Sequence, residues 1–317
     1  MTGEKPFNIV ASVRQRLLNI IRHTGDDANL VWTRYATERL LYRLSISEYA
    51  GEFILKGAML FMAWTGRSYR PTIDMDLLGY GEDSGDWLAE VFQNLCTIAV
   101  EPDGLKFLAD SVKTTPIRKE QEYHGQRITM TAFLGKARIP IQVDIGFGDV
   151  VTPRAKKISY PTILGFPSPI IRAYSPETVV AEKLQTMVTL GIINSRMKDF
   201  YDLFVLARDF VFDGATLARA IKATFERRKT EIIGEIPVAL TEEFSRDKLK
   251  IIQWNAFVRK SGIEQEVPEL PEIISDLCTF LLPPLKASFG QDPVPEKWNA
   301  GGPWKFKNSA SIMPRTR

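Results

Sequence analysis

Asp74 and Asp76 stand two apart in Thr72-Ile73-Asp74-Met75-Asp76-Leu77-Leu78, a stretch that alternates polar and apolar residues. Strict alternation predicts a half-buried strand, with both carboxylates on one face and Ile73, Met75 and Leu77 turned towards a core. Two neighbouring carboxylates repel, and one is driven towards protonation unless a cation sits between them. A hard divalent ion such as Mg2+ prefers this all-oxygen surrounding. A solvated strand edge is the plainer origin of an isolated Asp-x-Asp. A second strand, Ile141-Gln142-Val143-Asp144-Ile145-Gly146-Phe147, puts Ile141, Val143 and Ile145 on an apolar face and Asp144 on the polar one. Aspartate fits poorly in mid-strand. If the two strands are neighbours, three carboxylates share one sheet face, a costly arrangement without a metal. The alternative is that Asp144 caps a turn or pairs with a basic residue such as Arg127 or Arg138.

Two further groups carry chemistry. Lys56-Gly57-Ala58 follows the short apolar run Glu52-Phe53-Ile54-Leu55 and opens a helix, so main-chain N–H groups can face an anion and the glycine allows close approach. The same pattern is more often a tight turn. Lys183 borders the apolar stripe Val180, Leu184, Met187 and Val188 of another helix. In Ser195-Arg196-Met197-Lys198-Asp199-Phe200-Tyr201-Asp202, Asp199 and Asp202 share a helix face. Arg196 and Lys198 can pair with them, giving a surface ion-pair ladder worth at most about 1 kcal/mol.

The elements that position these residues follow from periodicity. Pro6 to Glu48 predicts two helices separated by Gly25-Asp26-Asp27. A helix is expected over Met59–Thr65, closed by Gly66, and another over Asp86–Ala99. Strands at Gln126–Leu134 and Arg138–Phe147 are close enough to form a hairpin. Ser175-Pro176-Glu177 starts a helix that Gly191 ends. Further helices are expected from Asn194 or Ser195 through Arg208, from Asp213-Gly214, and over Lys248–Arg259. From Pro283 onward the composition predicts an extended or disordered tail.

Composition narrows the chemistry. With two cysteines, Cys96 and Cys278, and two histidines, His23 and His124, a zinc site would be short of ligands and a disulfide framework is not expected. The net charge of +3 says little about a nucleic-acid partner. The segment from Gly301 carries Lys305, Lys307, Arg315 and Arg317 and no acid, which suits RNA phosphates or a solvated terminus. No run of about 20 apolar residues suggests a membrane span, and a cytoplasmic protein is expected.

Taken in order, Phe53-Ile54-Leu55-Lys56-Gly57-Ala58, Arg70-Pro71-Thr72-Ile73-Asp74-Met75-Asp76-Leu77, Val143-Asp144-Ile145, Ala181-Glu182-Lys183 and Arg196-Met197-Lys198-Asp199-Phe200-Tyr201-Asp202-Leu203 resemble the AbiEii toxins. That family of nucleotidyltransferases includes the mycobacterial MenT toxins. The likeness runs over about residues 10 to 260, and Trp254 and Phe257 also resemble the family's C-terminal helix. It implies an α+β fold: a polymerase-beta-like core with a mixed sheet at 49–165, after N-terminal helices at 1–48. A C-terminal helical domain at 166–285 and a basic extended tail at 286–317 would follow.

The resemblance also implies roles. Asp74, Asp76 and Asp144 would bind Mg2+ or Mn2+, and Asp144 would help deprotonate the acceptor hydroxyl. Lys183 would neutralise phosphates, and Asp199 or Asp202 would occupy the last acidic motif. Lys56, Gly57, Ala58, Arg70, Thr72 and Lys198 would contact the NTP. Many relatives have Gly-Ser or Gly-Gly where this chain has Gly57-Ala58, so a hydroxyl contact to phosphate is lost there while main-chain donors remain. The implied biology is a toxin that transfers a nucleoside monophosphate to RNA, at the tRNA 3′ end, and an AbiEi-like antitoxin partner. The rivals are transfer onto a protein and a non-catalytic antitoxin-binding module.

Overall fold

The capping and alternation signals have direct counterparts in the computed structural model, which describes residues 8–117, 125–231, 236–263 and 266–306. The chain divides into two compact units. One runs to Asp149 and returns for Ala155–Tyr174; the other comprises Val150–Arg154 and the chain from Ser175.

In the first unit, α1 (Ile9–Thr24) starts at Asn8, whose side chain accepts the Ala11 N–H, and stops at Gly25 in the left-handed conformation. Asp27 then caps α2 (Ala28–Ile46). Glycine to stop and aspartate to start give the expected break its physical basis. There follow β1 (Phe53–Lys56), α3 (Met59–Thr65), β2 (Asp74–Gly79), α4 (Gly85–Thr97), β3 (Leu105–Ile117), β4 (Gly125–Leu134), β5 (Ala137–Phe147), β6 (Lys156–Ser159) and β7 (Ile170–Ala173). The strands form one mixed sheet in the order β3-β4-β5-β2-β1-β7-β6, with β2/β5 and β1/β7 parallel. The expected hairpin joins β4 and β5, and Gly135 takes φ 63° at its turn.

One sheet face is apolar: Leu55, Met75, Leu77, Ile128, Val143 and Ile145 are fully buried. Helix α2 lies against β5 and β7, and α4 against β3. Helix α2 also buries Glu38, Arg39 and Arg43. Asp103 holds both arginines, with Arg43 Nη1 at 2.7 Å and Arg39 Nε at 3.2 Å, so these buried charges are paired rather than stranded.

Two expectations for this unit change. Ile73 does not face the core: it is 58% exposed, because β2 begins only at Asp74, where pairing with Gln142 starts. Strand β3 was not foreseen. Its sequence lacks alternation because the register against β4 shifts between Leu108 and Lys113. Ser111 Oγ patches the ladder there by accepting the Thr131 N–H at 2.9 Å.

The second unit is mainly helical. Helix α5 (Pro176–Leu190) starts at Ser175 and ends at Gly191, as expected. It is followed by α6 (Met197–Asp209), β8 (Phe212–Asp213), α7 (Gly214–Arg227), α8 (Glu242–Arg246), α9 (Lys248–Ser261), α10 (Leu270–Ser288), β9 (Lys297–Trp298) and β10 (Trp304–Lys305). The predicted tail is a correction. Helix α10 continues through Pro283 and Pro284 to Ser288, and β8, β9 and β10 form a small sheet. Two tryptophans explain the order: Trp298 and Trp304 are 4% and 7% exposed. Their indole N–H groups donate to the carbonyls of Ala207 and Phe280. Of the basic tail residues, Lys305 closes β10, while Lys307, Arg315 and Arg317 lie outside the described residues. Among the described residues the mixed sheet and ten α-helices give the α+β class expected. Among the described residues no helix is long and apolar enough to cross a membrane.

Candidate active site

The sheet face opposite the core carries the acidic residues. Register places Lys56, Asp76, Asp144 and Arg127 side by side across β1, β2, β5 and β4, because Lys56 pairs with Asp76, Asp76 with Asp144, and Asp144 with Arg127. Asp74 lies two residues along β2 on the same face, opposite Gln142. The three aspartates singled out from the sequence are therefore brought together, each half-buried.

Their surroundings are specific. Arg127 Nε and Nη2 each donate to one oxygen of Asp144 at 2.8 Å, and Gln142 Nε2 adds a contact of 3.3 Å. The bonds to Asp144 raise the pKa of Arg127 against the effect of burial, and the charges of Asp144, Asp74 and Asp76 raise it further. One guanidinium thus answers to all three carboxylates. At the other end of the row, Lys56 Nζ bonds Asp149 Oδ2 at 3.0 Å. Asp149 was not foreseen; it follows Gly148 beyond the end of β5, where no periodicity marks it.

Gly57 has φ 76° and packs directly on Asp76: a Cβ there would lie 2.6 Å from Asp76 Cγ and 2.7 Å from its Cβ. Glycine is thus required both by conformation and by the carboxylate beneath it. Ala58 and Thr72 join Asp74, Arg34, Thr37 and Tyr160 around a small cavity beside the acidic face. Thr72 Oγ1 also donates to Asp74 O at 3.4 Å, and Arg70 Nη1 contacts Pro71 O at 3.5 Å. The larger concavity of this unit, about 830 Å3, is lined by Val10, Arg43, Cys96, Asp103, Phe107 and Phe133 and touches none of these carboxylates.

In the second unit, Lys183, Asp199 and Asp202 form a cluster of their own. Lys183 Nζ bonds Asp199 Oδ1 and reaches Asp202 Oδ2 at 2.9 Å, while Arg196 Nε bonds Asp199 Oδ2 at 2.6 Å. Asp199 and Asp202 are 1% and 2% exposed, so the surface ladder expected from their spacing is instead a buried cluster. Burial alone would raise the Asp199 pKa. Lys183 and Arg196 more than offset it and hold the carboxyl well below the usual carboxylate range. Lys198 is exposed and takes no part in the cluster's ion pairs. Phe200 and Tyr201 are core residues, stacked on Phe244 and tilted against Phe257.

The donor chemistry of the acidic face fits a hard divalent cation, since carboxylate oxygens leave the sheet from adjacent positions. Asp74 and Asp76 are the residues that would hold it. Asp144 gives both oxygens to Arg127, and among the described residues no group of three or more His, Cys, Asp or Glu is disposed to hold a metal ion.

The family model described as nucleotidyl transferase AbiEii toxin, type IV TA system, matches residues 39–276. Among solved structures, a candidate nucleotidyltransferase from H. pylori is similar at TM-score 0.48 and 13% identity, over 84% of this chain and 99% of that one. JHP933 from Helicobacter pylori is similar at TM-score 0.47 and 13% identity, over 83% of this chain and 94% of that one. No curated protein matches the chain.

Proposed function

Because the chain belongs to the AbiEii nucleotidyltransferase toxin family, we propose that it transfers a nucleoside monophosphate from an NTP onto an RNA hydroxyl, at the 3′ end of tRNA, and so blocks translation. The observation that carries this reading is the register match of Asp76 with Asp144, with Asp74 on the same face and Gly57 closed over Asp76. A family of toxin–antitoxin systems implies an antitoxin, and the partner we propose is AbiEi-like.

In the proposed step the acceptor oxygen attacks the α-phosphorus in line, a new P–O bond forms, and the bond to the β-phosphate breaks to release pyrophosphate. Such chemistry is mostly positioning and neutralisation of charge on phosphate oxygens. Mg2+ or Mn2+ held by Asp74 and Asp76 would supply charge neutralisation. Asp144 takes the acceptor proton on a carboxylate oxygen, once Arg127 yields it. The main chain at Gly57 and Ala58 takes the triphosphate, with Lys56, Arg70, Thr72 and Lys198 as the further nucleotide contacts. Lys183 neutralises phosphate charge. Its amine is fixed by Asp199 and Asp202, which suits a cation that must be held in place.

The test is labelling. The protein is incubated with each labelled NTP, Mg2+ and bulk tRNA, beside Asp76→Ala. The expected result is RNase-sensitive label with the wild-type chain and almost none with the variant. Label that survives RNase moves the acceptor to protein. Equal labelling by both chains refutes the assignment of Asp76. A flat calorimetric titration with Mg2+ and NTP would leave a binding module.

A further inference from the structure

Arg127 grips the acidic face through Asp144. It stands directly opposite Asp144 in the β4–β5 ladder, and its fork meets both carboxylate oxygens at 2.8 Å. A carboxylate gripped in this bidentate way has committed the lone pairs with which it would bind a cation or accept a proton. The pair is also placed to open. The Arg127 side chain is 42% exposed against 21% for Asp144, so the guanidinium has solvent to move into. Nor is its influence confined to one partner, since the charges of Asp74 and Asp76 act on it as well. A positive group bonded to Asp144, on which the charges of Asp74 and Asp76 also act, offsets part of the negative charge that a divalent cation would neutralise at the same face.

We propose that Arg127 is a resident stand-in for the divalent cation, neutralising the carboxylate face in the ion-free chain and leaving Asp144 when an ion arrives. This rests on the divalent-cation reading of Asp74 and Asp76 given above. Ion binding and the Arg127–Asp144 pair then compete, and Asp144 becomes available to the acceptor hydroxyl only as the site is loaded. Arg127 is a positioning residue: it acts through Asp144 and not on substrate.

The test is a Mn2+ titration of the full chain, with free Mn2+ read by electron paramagnetic resonance, so that no turnover is needed. The chains are wild type, Arg127→Gln, Arg127→Lys, Asp144→Asn, the Arg127→Gln/Asp144→Asn double variant, and Asp76→Asn. Removing the competing charge should tighten Mn2+ binding about tenfold in Arg127→Gln. Lysine keeps the charge but loses the fork, so Arg127→Lys should tighten it about threefold. In the Asp144→Asn background the gain from Arg127→Gln should shrink to about twofold or less, because its route is through Asp144. The proposal is overturned if Arg127→Gln binds Mn2+ no more tightly than wild type. It is also overturned if the gain is the same with and without Asp144. Should Arg127→Gln fail to fold by circular dichroism, an unchanged affinity in Arg127→Lys overturns it alone. The two readings separate at Asp76→Asn. If that variant loses Mn2+ while Arg127 variants match wild type, only the stand-in falls. If no chain binds Mn2+ saturably, both fall.

Discussion

Asp74, Asp76 and Asp144 stand half-buried on a sheet face, whereas Asp199 and Asp202 are 1% and 2% exposed among helices. The first group is held by strand register, and Asp144 is answered by an arginine that is 42% exposed. In the second, one lysine that is 16% exposed bridges both carboxylates, and Arg196 adds a further bond to Asp199. A charge cluster sealed in the interior must be satisfied by the fold itself, since an unpaired partner there is costly. A cluster on an accessible face can exchange one counter-charge for another. The same residue type therefore stands in different settings: aspartates that fix a lysine in one unit, aspartates on an accessible face in the other.

That contrast fails if removing an acid from the helical cluster is harmless. Asp199→Ala should cost about 3–5 kcal/mol of stability, because it strands part of a buried ion pair. Denaturant melts monitored by circular dichroism measure it. The pH dependence has a definite sign. Folding lowers the Asp199 pKa, so the unfolded chain binds more protons, and its stabilisation is complete above about pH 5 and lost as pH falls further. The difference in stability between wild type and Asp199→Ala should accordingly narrow in acid.

The acidic face should respond in the opposite sense. Asp76→Ala is expected to reduce nucleotidyl transfer by about 10²–10³-fold, the range seen when one transition-state charge contact is lost. Its stability should stay within about 1 kcal/mol of wild type or rise, since a carboxylate facing Asp144 has been removed. A loss of stability as large as that of Asp199→Ala would show that the sheet-face acids are structural after all.

Much of this was readable from the sequence, for reasons that differ by residue. The carboxylate face followed from period-two alternation around Asp74, Asp76 and Asp144, since a strand fixes which side chains share a face. Helix limits at Gly25, Ser175 and Gly191 followed from capping chemistry. Three features were not legible. The buried charges of Arg39 and Arg43 on α2 depend on Asp103, about sixty residues away, and no local pattern reports such a pairing. Strand β3 hid behind a register shift that erases alternation. Helix α10 and the strands after it hid behind prolines and glycines, whose local preference lost to the burial of Trp298 and Trp304. Spacing put Asp199 and Asp202 on one helix face but not inside the protein, because periodicity gives direction and not depth. Arg127 was weighed only as a partner for Asp144, and that the charges of Asp74 and Asp76 also act on it is a product of sheet order.

Gly57 tests the accessible cluster from its backbone side. Gly57→Ala places a side chain at φ 76° and against the Asp76 carboxylate, so a cost of about 1–3 kcal/mol is expected from strain and displacement together. The two contributions can be separated. In Gly57→Ala/Asp76→Ala the carboxylate is gone, so only the backbone strain should remain, and the double variant should be more stable than the sum of the singles. Strict additivity would mean that the glycine serves the turn alone and does not clamp Asp76.

The smallest effect is expected at Lys198. It is exposed and contributes no ion pair to the Asp199 cluster, so Lys198→Ala should change stability by no more than about 0.5 kcal/mol. Its value lies in the split between binding and turnover. A nucleotide contact made equally in ground and transition states would raise KM for NTP and leave kcat unchanged. If neither constant moves, Lys198 belongs to the solvated surface and the proposed nucleotide contact there falls.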